Sequence, residues 1–307
     1  MSPFTDITII NWLSHVAEST NRFAATIRTY RSAISTLHAE SEWGHLPNPA
    51  QSIRVGRFMT GLERERAPYE ALVRRSRLPT VDVTGNLLSE LEPISRGNTP
   101  HTIMCWAAAT LGTFAILRIG ELIATRLNSD RFLKVDQIKF YRDEDGRTLV
   151  GLLAPGVDID KYEKPDHFKL HLGATKTDQL GRGTTKVVGA GLGVRAMWRW
   201  MHLRRDMEIK YSRTTNELFR VPGADSLTVT QVISHIQDGL ESKGRGRPKI
   251  TGKGFRRGGA STLVGGNTPA ADAAAAGGWK SIAMLDTYAN KEAKERRALA
   301  ISKKMAP

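Results

Sequence analysis

Residues 114–123 have the sequence FAILRIGELI, in which an arginine and a glutamate follow an apolar run. It closes an uncharged stretch, Thr102 to Leu117, that has the composition of a buried helix. Arg118 follows directly, and a guanidinium at the end of an apolar helix is costly to bury unless it meets an anion. Glu121, three residues on, lies on the same helical face and can orient that arginine. Taken alone, the two residues are more typical of a surface ion pair.

The charge balance narrows the class of partner. The chain has 307 residues, with 45 lysines and arginines against 31 acidic residues and a formal net charge of +14. Such an excess favours a polyanion, most often nucleic acid, although a basic ribosomal or membrane-surface protein has a similar balance. With 40% hydrophobic residues the chain can bury a core. No signal-peptide or membrane-length segment is evident, so we expect an intracellular protein without membrane association.

Metal chemistry is not expected. Cys105 is the single cysteine, which excludes an internal disulfide framework and a multi-cysteine zinc site. The eight histidines have no paired metal-ligand spacing. His167 and His171 are four apart, but their segment alternates like a strand, so the two side chains would not share a helical face.

The first 65 residues predict a helical bundle. Apolar residues recur at helical spacing in two runs, Ile7, Ile10, Leu13, Val16 and then Phe23, Ile27, Tyr30, Ile34, Leu37. Each run is one-sided, so the helices should pack together. Residues 66–80 are basic and weakly patterned, and we interpret them as a linker between two domains. A solvated helix end is the alternative.

From residue 81 the pattern changes from helices to short strands and back to helices. Strand-like segments cover 134–140, 148–153, 167–172 and 184–188, and helical patterns resume near 194–209 and 229–240. This order predicts a mainly α fold with a small antiparallel sheet, an α+β domain spanning 81–307. Its end, Lys291 to Lys304, has the composition of a tail helix.

Further charged and aromatic residues follow Arg118 in a fixed order. Lys176 lies in ATKTD, residues 174–178, between two predicted strands. Lys253 and Arg256 are three apart in KGFRRGGAS, at the start of a predicted helix. Trp279 follows two glycines, and Tyr288 comes nine residues after it. Each motif is weak alone, whereas the ordered set is specific.

This ordered set resembles the catalytic core of the tyrosine recombinases, the phage-integrase family. The family pattern is an arginine with a glutamate three later, a hairpin lysine, His-x-x-Arg, then a histidine or tryptophan and a tyrosine nine later. The resemblance covers about residues 81–290, and the N-terminal bundle is similar to the family's core-binding, DNA-binding domain. It implies double-stranded DNA as the substrate and no cofactor.

The resemblance also implies roles for individual residues. Arg118 and Arg256 would clamp the scissile phosphate, because planar guanidinium groups suit phosphate oxygens. Tyr288 would be the nucleophile that links covalently to DNA. Lys176 would protonate the departing 5′ oxygen, and Trp279 would pack on the phosphate or on the tyrosine helix.

Two further residues complete the implied site. Glu121 would orient Arg118 and would not itself contact the phosphate. Lys253 stands where the family has a histidine, and this is the one departure from the pattern. A lysine still donates to phosphate, but it accepts a proton only if its pKa is lowered. Proton transfer to or from the tyrosine is therefore the affected step, and a DNA-binding relative without activity remains an alternative.

Two of these assignments have rivals in the sequence. Lys186 could take the place of Lys176 if the hairpin had another register. Arg257 competes with Arg256, but it falls one position off the pattern, so we prefer Arg256.

Other arginines are expected to bind DNA. The linker contributes Arg74, Arg75 and Arg77, and Arg257 adds a further positive charge. Arg245 and Arg247 lie in KGRGRPK, residues 243–249, which resembles an AT-hook that enters the minor groove. A solvated basic loop and a nuclear-targeting patch are equally consistent with that segment.

The resemblance implies a site-specific recombinase or integrase that cleaves and rejoins DNA through a 3′-phosphotyrosyl intermediate. A type IB topoisomerase has a similar site and is the second alternative. Strand exchange between two duplexes implies a homo-oligomer on DNA, a tetramer in the synapse, in which the tail could dock on a neighbouring protomer. The segment FRRGGAS, residues 255–261, also resembles recombinases of eukaryotic mobile elements (Crypton and DIRS-like), which would imply a nuclear setting.

Overall fold

The computed structural model describes residues 4–76, 80–123, 132–143, 145–173, 183–221 and 223–305, without the side chains of 74–76 and 301–305. The chain forms two compact units, Met1–Leu78 and Pro79–Pro307. Each unit has its own hydrophobic core.

The first unit consists of three helices, α1 (Asp6–Ser19), α2 (Ala24–Glu40) and α3 (Ile53–Ser76). Thr5 caps α1, because its hydroxyl accepts a hydrogen bond from the backbone N–H of Thr8. The buried apolar residues of all three helices form one cluster; they include Ile9, Leu13, Ile27, Val55 and Met59.

The buried face of α1 differs from the predicted one. Ile9, Leu13 and Ala17 are buried, whereas Ile7 is 56% exposed. The predicted and the observed faces share Leu13, and the predicted Ile10 is partly buried against the same cluster. The observed face extends from Leu13 by four residues in each direction and includes the small Ala17, which the search for large apolar residues overlooked.

The predicted linker is wrong over residues 66–76, which are helical and continue α3. Two charged side chains bind this part of the helix to the rest of the unit. The guanidinium of Arg66 donates to the backbone carbonyls of Ala17 and Arg22. The carboxylate of Glu70, which is 8% exposed, accepts from the N–H of Ala24 at 2.7 Å. These charges have structural partners in the first unit, and the boundary between the two units falls at the end of the predicted segment, between Leu78 and Pro79.

The second unit contains nine helices and six short strands among the described residues. The helices are α4 (Gly85–Ser95), α5 (Pro100–Phe114), α6 (Ile119–Leu122), α7 (Leu192–Tyr211), α8 (Val229–Ser242), α9 (Gly252–Gly265), α10 (Ala270–Gly277), α11 (Ile282–Tyr288) and α12 (Lys291–Met305). The strands are β1 (Thr80–Val81), β2 (Ile138–Tyr141), β3 (Leu149–Val150), β4 (His167–Leu172), β5 (Thr184–Val188) and β6 (Lys249–Ile250).

A four-stranded antiparallel sheet has the order β3-β2-β4-β5, and β1 pairs with β6 in parallel. Phe168 of β4 lies opposite Phe140 of β2 and Val188 of β5, which fixes the register across the sheet. The predicted fold class, mainly α with a small antiparallel sheet, is confirmed.

Helix α5 lies at the centre of the main hydrophobic core of the second unit. Every residue from Ile103 to Thr113 is buried, as expected for a helix that is apolar all round. The helix ends at Phe114, and Ile116 then has φ = +55°, a left-handed conformation that is unusual for a β-branched residue. This turn leads the chain through Arg118 into the short helix α6.

Helix α9 packs very closely on its neighbours because it carries glycines at the contacts. A Cβ atom on Gly258 would lie 1.9 Å from the carbonyl oxygen of Val83, and one on Gly259 would lie 2.2 Å from that of Thr113. Only glycine permits backbone to approach backbone this closely. The two glycines thus hold α9 against the end of α5 and the start of α4.

An ion pair strengthens the same contact. Arg257 on α9 places Nε 3.4 Å from Oδ1 of Asp82, which follows β1. The carboxyl group of Asp82 is largely buried, which raises its pKa, and the positive charge of Arg257 partly offsets this.

Among the helices that the structure describes, none combines the length and the apolar character needed to cross a membrane.

Gly258→Ala should destabilise the second unit, because the added methyl group meets a backbone carbonyl that cannot move aside alone. We expect the free energy of unfolding to fall by about 1–3 kcal/mol, measured by urea denaturation. Gly265→Ala is the matched control in the same helix, since its methyl group would meet Ala293 at an ordinary 3.7 Å. An equal, small effect of both substitutions would show that α9 has room to move.

Arg257→Gln should change how stability depends on pH. Loss of the positive charge raises the folded-state pKa of Asp82 further above its unfolded value of about 3.9. The folded state then binds the proton more tightly, so stability is lost as pH rises through the folded pKa. The free energy of unfolding, measured by urea denaturation from about pH 4 upward, should fall more steeply than in the wild type. Adding Asp82→Asn should remove the extra slope; if the slope stays, the Arg257–Asp82 pair is not its source.

Candidate active site

Arg256 is the buried centre of the candidate site. It lies on the second turn of α9 and is 5% exposed. Its Nη1 donates to the carbonyl of Ile116 at 2.8 Å, and its Nη2 donates to the carbonyl of Gly277 at 2.7 Å. The left-handed turn at Ile116 and the end of α10 therefore meet at this one guanidinium.

Two aromatic rings cover the same guanidinium. Cζ of Arg256 lies 4.9 Å from the ring centre of Trp279 and 5.5 Å from that of Tyr288. The two rings are 5.1 Å apart and inclined by 40°. Trp279 is buried, whereas Tyr288, at the end of α11, is half-buried. The sequence-predicted residues Arg256, Trp279 and Tyr288 are thus in contact within one chain.

Arg118 and Glu121 form the ion pair expected from their spacing. Nη1 of Arg118 lies 2.7 Å from Oε1 of Glu121, whose Oε2 accepts the backbone N–H of Arg118 at 2.8 Å. Glu121 therefore fixes both the backbone and the side chain of Arg118. The Arg118 side chain is still 38% exposed, so the pair leaves it accessible.

The charges of this pair act on Arg256. Burial lowers the pKa of the Arg256 guanidinium, and the positive charge of Arg118 lowers it further. Glu121 and the Tyr288 phenol oppose this shift. Arg118, Glu121, Arg256 and Tyr288 therefore belong to one electrostatic cluster, rich in positive charge and able to hold an anion.

The structure separates Arg257 from Arg256. The side chain of Arg257 pairs with Asp82, away from the two aromatic rings that cover Arg256. Lys253 lies one turn before Arg256 on α9, with an exposed side chain.

A lysine that the sequence offered only as a rival also reaches the cluster. Nζ of Lys186 on β5 donates to the carbonyl of Ala276 in α10. Burial lowers the pKa of Lys186, followed by the positive charge of Arg256, while Glu121 acts in the opposite sense and Arg118 lowers it slightly more. The hairpin pattern placed Lys186 on a strand, but only the folding of β5 against α10 brings its ammonium to this position.

Three of the predicted DNA-binding arginines, Arg245, Arg247 and Arg257, pair with carboxylates of the same chain. Nη2 of Arg245 lies 3.2 Å from Oε2 of Glu90. Arg247 pairs with Asp238 and, at 2.9 Å, with Glu241. Lys176 and Arg77 lie outside the described residues, and for Arg74 and Arg75 only the backbone, part of α3, is described.

Backbone groups are the functional elements that the sequence could not reveal. The carbonyls of Ile116 and Gly277 are the acceptors of the Arg256 guanidinium. Every residue carries such a carbonyl, so no residue type marks one. The two glycines before Trp279 were the available signal, since a Cβ on Gly277 would lie 1.9 Å from the Trp279 ring.

No protein-family model matches the sequence, and no curated protein sequence matches it. Solved structures do match. The XerH site-specific recombinase bound to palindromic difH substrate, a post-cleavage complex, is 14% identical with a TM-score of 0.54, covering 98% of this chain and 73% of that one. The pre-cleavage complex of XerH bound to difH substrate is 14% identical with a TM-score of 0.55, and the match covers 94% of this chain and 68% of that one.

The Tn1549 transposon integrase in complex with circular intermediate DNA is a third similar structure. It is 13% identical with a TM-score of 0.55, and the match covers 99% of this chain and 86% of that one. The likeness extends over nearly the whole chain. The protein therefore has the fold of the tyrosine recombinases.

Proposed function

We propose that the protein is a site-specific DNA recombinase or integrase that cuts and rejoins DNA strands through Tyr288. The observation that carries this proposal is the contact of the Tyr288 ring with the Arg256 guanidinium, 5.5 Å away within one chain. A phenol has a pKa near 10 and is a poor nucleophile at neutral pH. The cluster of positive charges around it supplies hydrogen-bond donors for the phosphate that it attacks.

In the proposed reaction, the Tyr288 hydroxyl oxygen attacks the scissile phosphorus and loses its proton. The bond from phosphorus to the 5′ oxygen breaks, and the 5′ oxygen takes up a proton. The product is a 3′-phosphotyrosyl bond and a free 5′ hydroxyl, and the reverse attack by a 5′ hydroxyl rejoins the strand. The covalent link conserves the energy of the phosphodiester bond, so no nucleotide cofactor enters the balance.

The arginines are proposed to stabilise charge on the phosphate. Nη1 and Nη2 of Arg256 donate hydrogen bonds to backbone carbonyls. Its Nε is buried and has no hydrogen-bond partner in the described part of the chain. Arg118 remains partly exposed beside its Glu121 partner. Donors of this kind act on the non-bridging oxygens as negative charge develops in the transition state.

Lys253 takes the position of the family's histidine in this proposal. Its ammonium is exposed one turn before Arg256, where it can donate to a phosphate oxygen. Lys176 is the proposed proton donor to the 5′ oxygen, on the basis of its place in the sequence between β4 and β5.

Double-stranded DNA is the proposed partner, and four protomers would act together when two duplexes exchange strands. Of the basic residues predicted from the sequence to bind DNA, Arg74, Arg75 and Arg77 are proposed to contact phosphates. Within the chain, the first turn of α12 packs on α9 through the buried Ala293, whereas Leu299 further along is 58% exposed. The second half of α12 is thus the part of the tail proposed to meet a neighbouring protomer. Origin in a mobile element and a nuclear setting remain predictions.

Tyr288→Phe should abolish covalent attachment to DNA, because only the attacking oxygen is removed. The measurement uses a duplex chosen by binding-site selection, with a nick beside the scissile phosphate that traps the covalent product. DNA affinity should stay within a few-fold of the wild type. Tyr211→Phe is the matched control, since Tyr211 ends α7 and is 51% exposed.

An adduct that persists in Tyr288→Phe would falsify the assignment of the nucleophile. A wild-type protein that binds the selected site and forms no adduct would be an inactive relative. Adducts of equal yield on unrelated duplexes would instead favour a topoisomerase.

Lys176→Ala should cleave ordinary DNA poorly and recover on DNA whose bridging 5′ oxygen is replaced by sulfur. An alkoxide must gain a proton as it leaves, whereas a thiolate leaves without one. Arg118→Ala should slow cleavage by roughly 10²–10³-fold without comparable rescue, because it acts on the non-bridging oxygens. Normal cleavage of ordinary DNA by Lys176→Ala would exclude it as the proton donor.

A further inference from the structure

The C-terminal end of α10 has an unusual set of hydrogen-bond donors. Gly278 ends the helix in the left-handed conformation, with φ = +66°. Its N–H donates to the carbonyls of Ala274 and Ala275, and the N–H of Trp279 also donates to Ala274. The last two carbonyls, of Ala276 and Gly277, accept from the side chains of Lys186 and Arg256.

Two positive charges therefore complete this helix end. The last carbonyls of an α-helix lack partners within the helix and carry the negative end of its dipole. A cation at that end is stabilising, and here two cations come from distant parts of the chain, one from β5 and one from α9. Neighbouring carbonyls bind them, so the two side chains hold one short piece of backbone between them.

That piece of backbone determines where the two aromatic rings lie. The Trp279 ring packs so closely on Gly277 that a Cβ atom there would be 1.9 Å from it. The same ring lies 5.1 Å from that of Tyr288. A shift of the carbonyls at 276 and 277 would move Trp279, and with it one wall of the Tyr288 environment.

Burial and neighbouring positive charges disfavour the ammonium of Lys186 at this position. Its ammonium is partly desolvated and shares the cluster with Arg256 and Arg118, which lower its pKa. A Cβ atom on Gly278 would be 3.5 Å from Nζ, so the ammonium also lies beside the left-handed turn itself. The hydrogen bond to Ala276 offsets the cost of placing a third positive charge here.

We propose that Lys186 is a positioning residue: by holding the carbonyl of Ala276, it fixes the end of α10 and so sets Trp279 and Tyr288 for attack. This inference rests on the proposed function for its effect on cleavage, but its effect on Trp279 can be measured without DNA. It gives the two hairpin lysines different tasks, because Lys176 donates a proton to the substrate whereas Lys186 binds the protein's own backbone.

Lys186→Met tests the proposal, because it keeps the length of the side chain and removes the donor and its charge. In the full-length protein labelled at its tryptophan indoles with ¹⁵N, the Trp279 resonance, assigned from Trp279→Phe, should shift or broaden. The rate of adduct formation at saturating DNA should fall about tenfold or more, the loss expected for one charge-assisted hydrogen bond. DNA affinity should change by less than about threefold.

Matched variants separate positioning from general loss of structure. Lys139→Met replaces an exposed lysine of β2 in the same sheet and should leave the Trp279 resonance and the rate unchanged. Lys186→Arg restores a charged donor and should recover part of the rate. Thermal unfolding of each variant shows whether the second unit remains folded under the assay conditions.

Sulfur in place of the bridging 5′ oxygen separates the two possible tasks of Lys186. A positioning defect should persist on that substrate, because sulfur replaces only the need for a proton donor and does not restore the position of Trp279 and Tyr288. Recovery on sulfur, or an unchanged rate and an unchanged Trp279 resonance in a folded Lys186→Met protein, would overturn the proposal. If the wild type forms no adduct, the proposed function fails, and the Trp279 resonance alone still decides whether Lys186 holds the end of α10.

Discussion

The burial of the Arg256 guanidinium is the constraint on which the second unit depends. A buried positive charge needs hydrogen-bond acceptors, and this one finds them in two backbone carbonyls. One belongs to the turn after α5, and the other to the end of α10. Trp279 and Tyr288 close over the remaining face. Three separate segments are thus bound to one side chain, and the candidate site is the place where they meet.

The close approach of α9 to its neighbours makes this burial possible. Gly258 and Gly259 remove the side chains that would separate the helix from Val83 and Thr113. At the same place, the chain accepts an unfavourable left-handed conformation at Ile116, whose carbonyl then points at Arg256. Backbone strain of this kind persists only where surrounding contacts enforce it. The packing glycines and the strained turn are two parts of one arrangement.

The sequence predicted the features that depend on local pattern or on spacing. The strand at 167–172 was found at its predicted position because alternation is a local signal, and the strand suggested at 184–188 was found as well. The pairing of Arg118 with Glu121 was predicted from a spacing of three residues, although Arg118 is the extended residue that precedes α6 and does not lie on a helical face. The order of residues from Arg118 to Tyr288 indicated a fold that the structure confirms.

Features that depend on distant contacts were missed. Residues 66–76 were interpreted as part of a linker because they are basic and weakly patterned, although Arg66 binds carbonyls more than 40 residues away in the chain. The position of Lys186 depends on how β5 packs on α10, which no local pattern encodes. The buried face of α1 was predicted only in part, because its small residue, Ala17, contributes little to an apolar pattern.

The acceptors around Arg256 have a consequence for how such a protein can evolve. A site held together by pairs of side chains conserves both partners or changes them together. Backbone carbonyls impose no such demand, since the oxygen stays in place whatever side chain the residue carries, provided that the local conformation survives. A lineage can therefore exchange most of its side chains around this arginine while the charge remains bound.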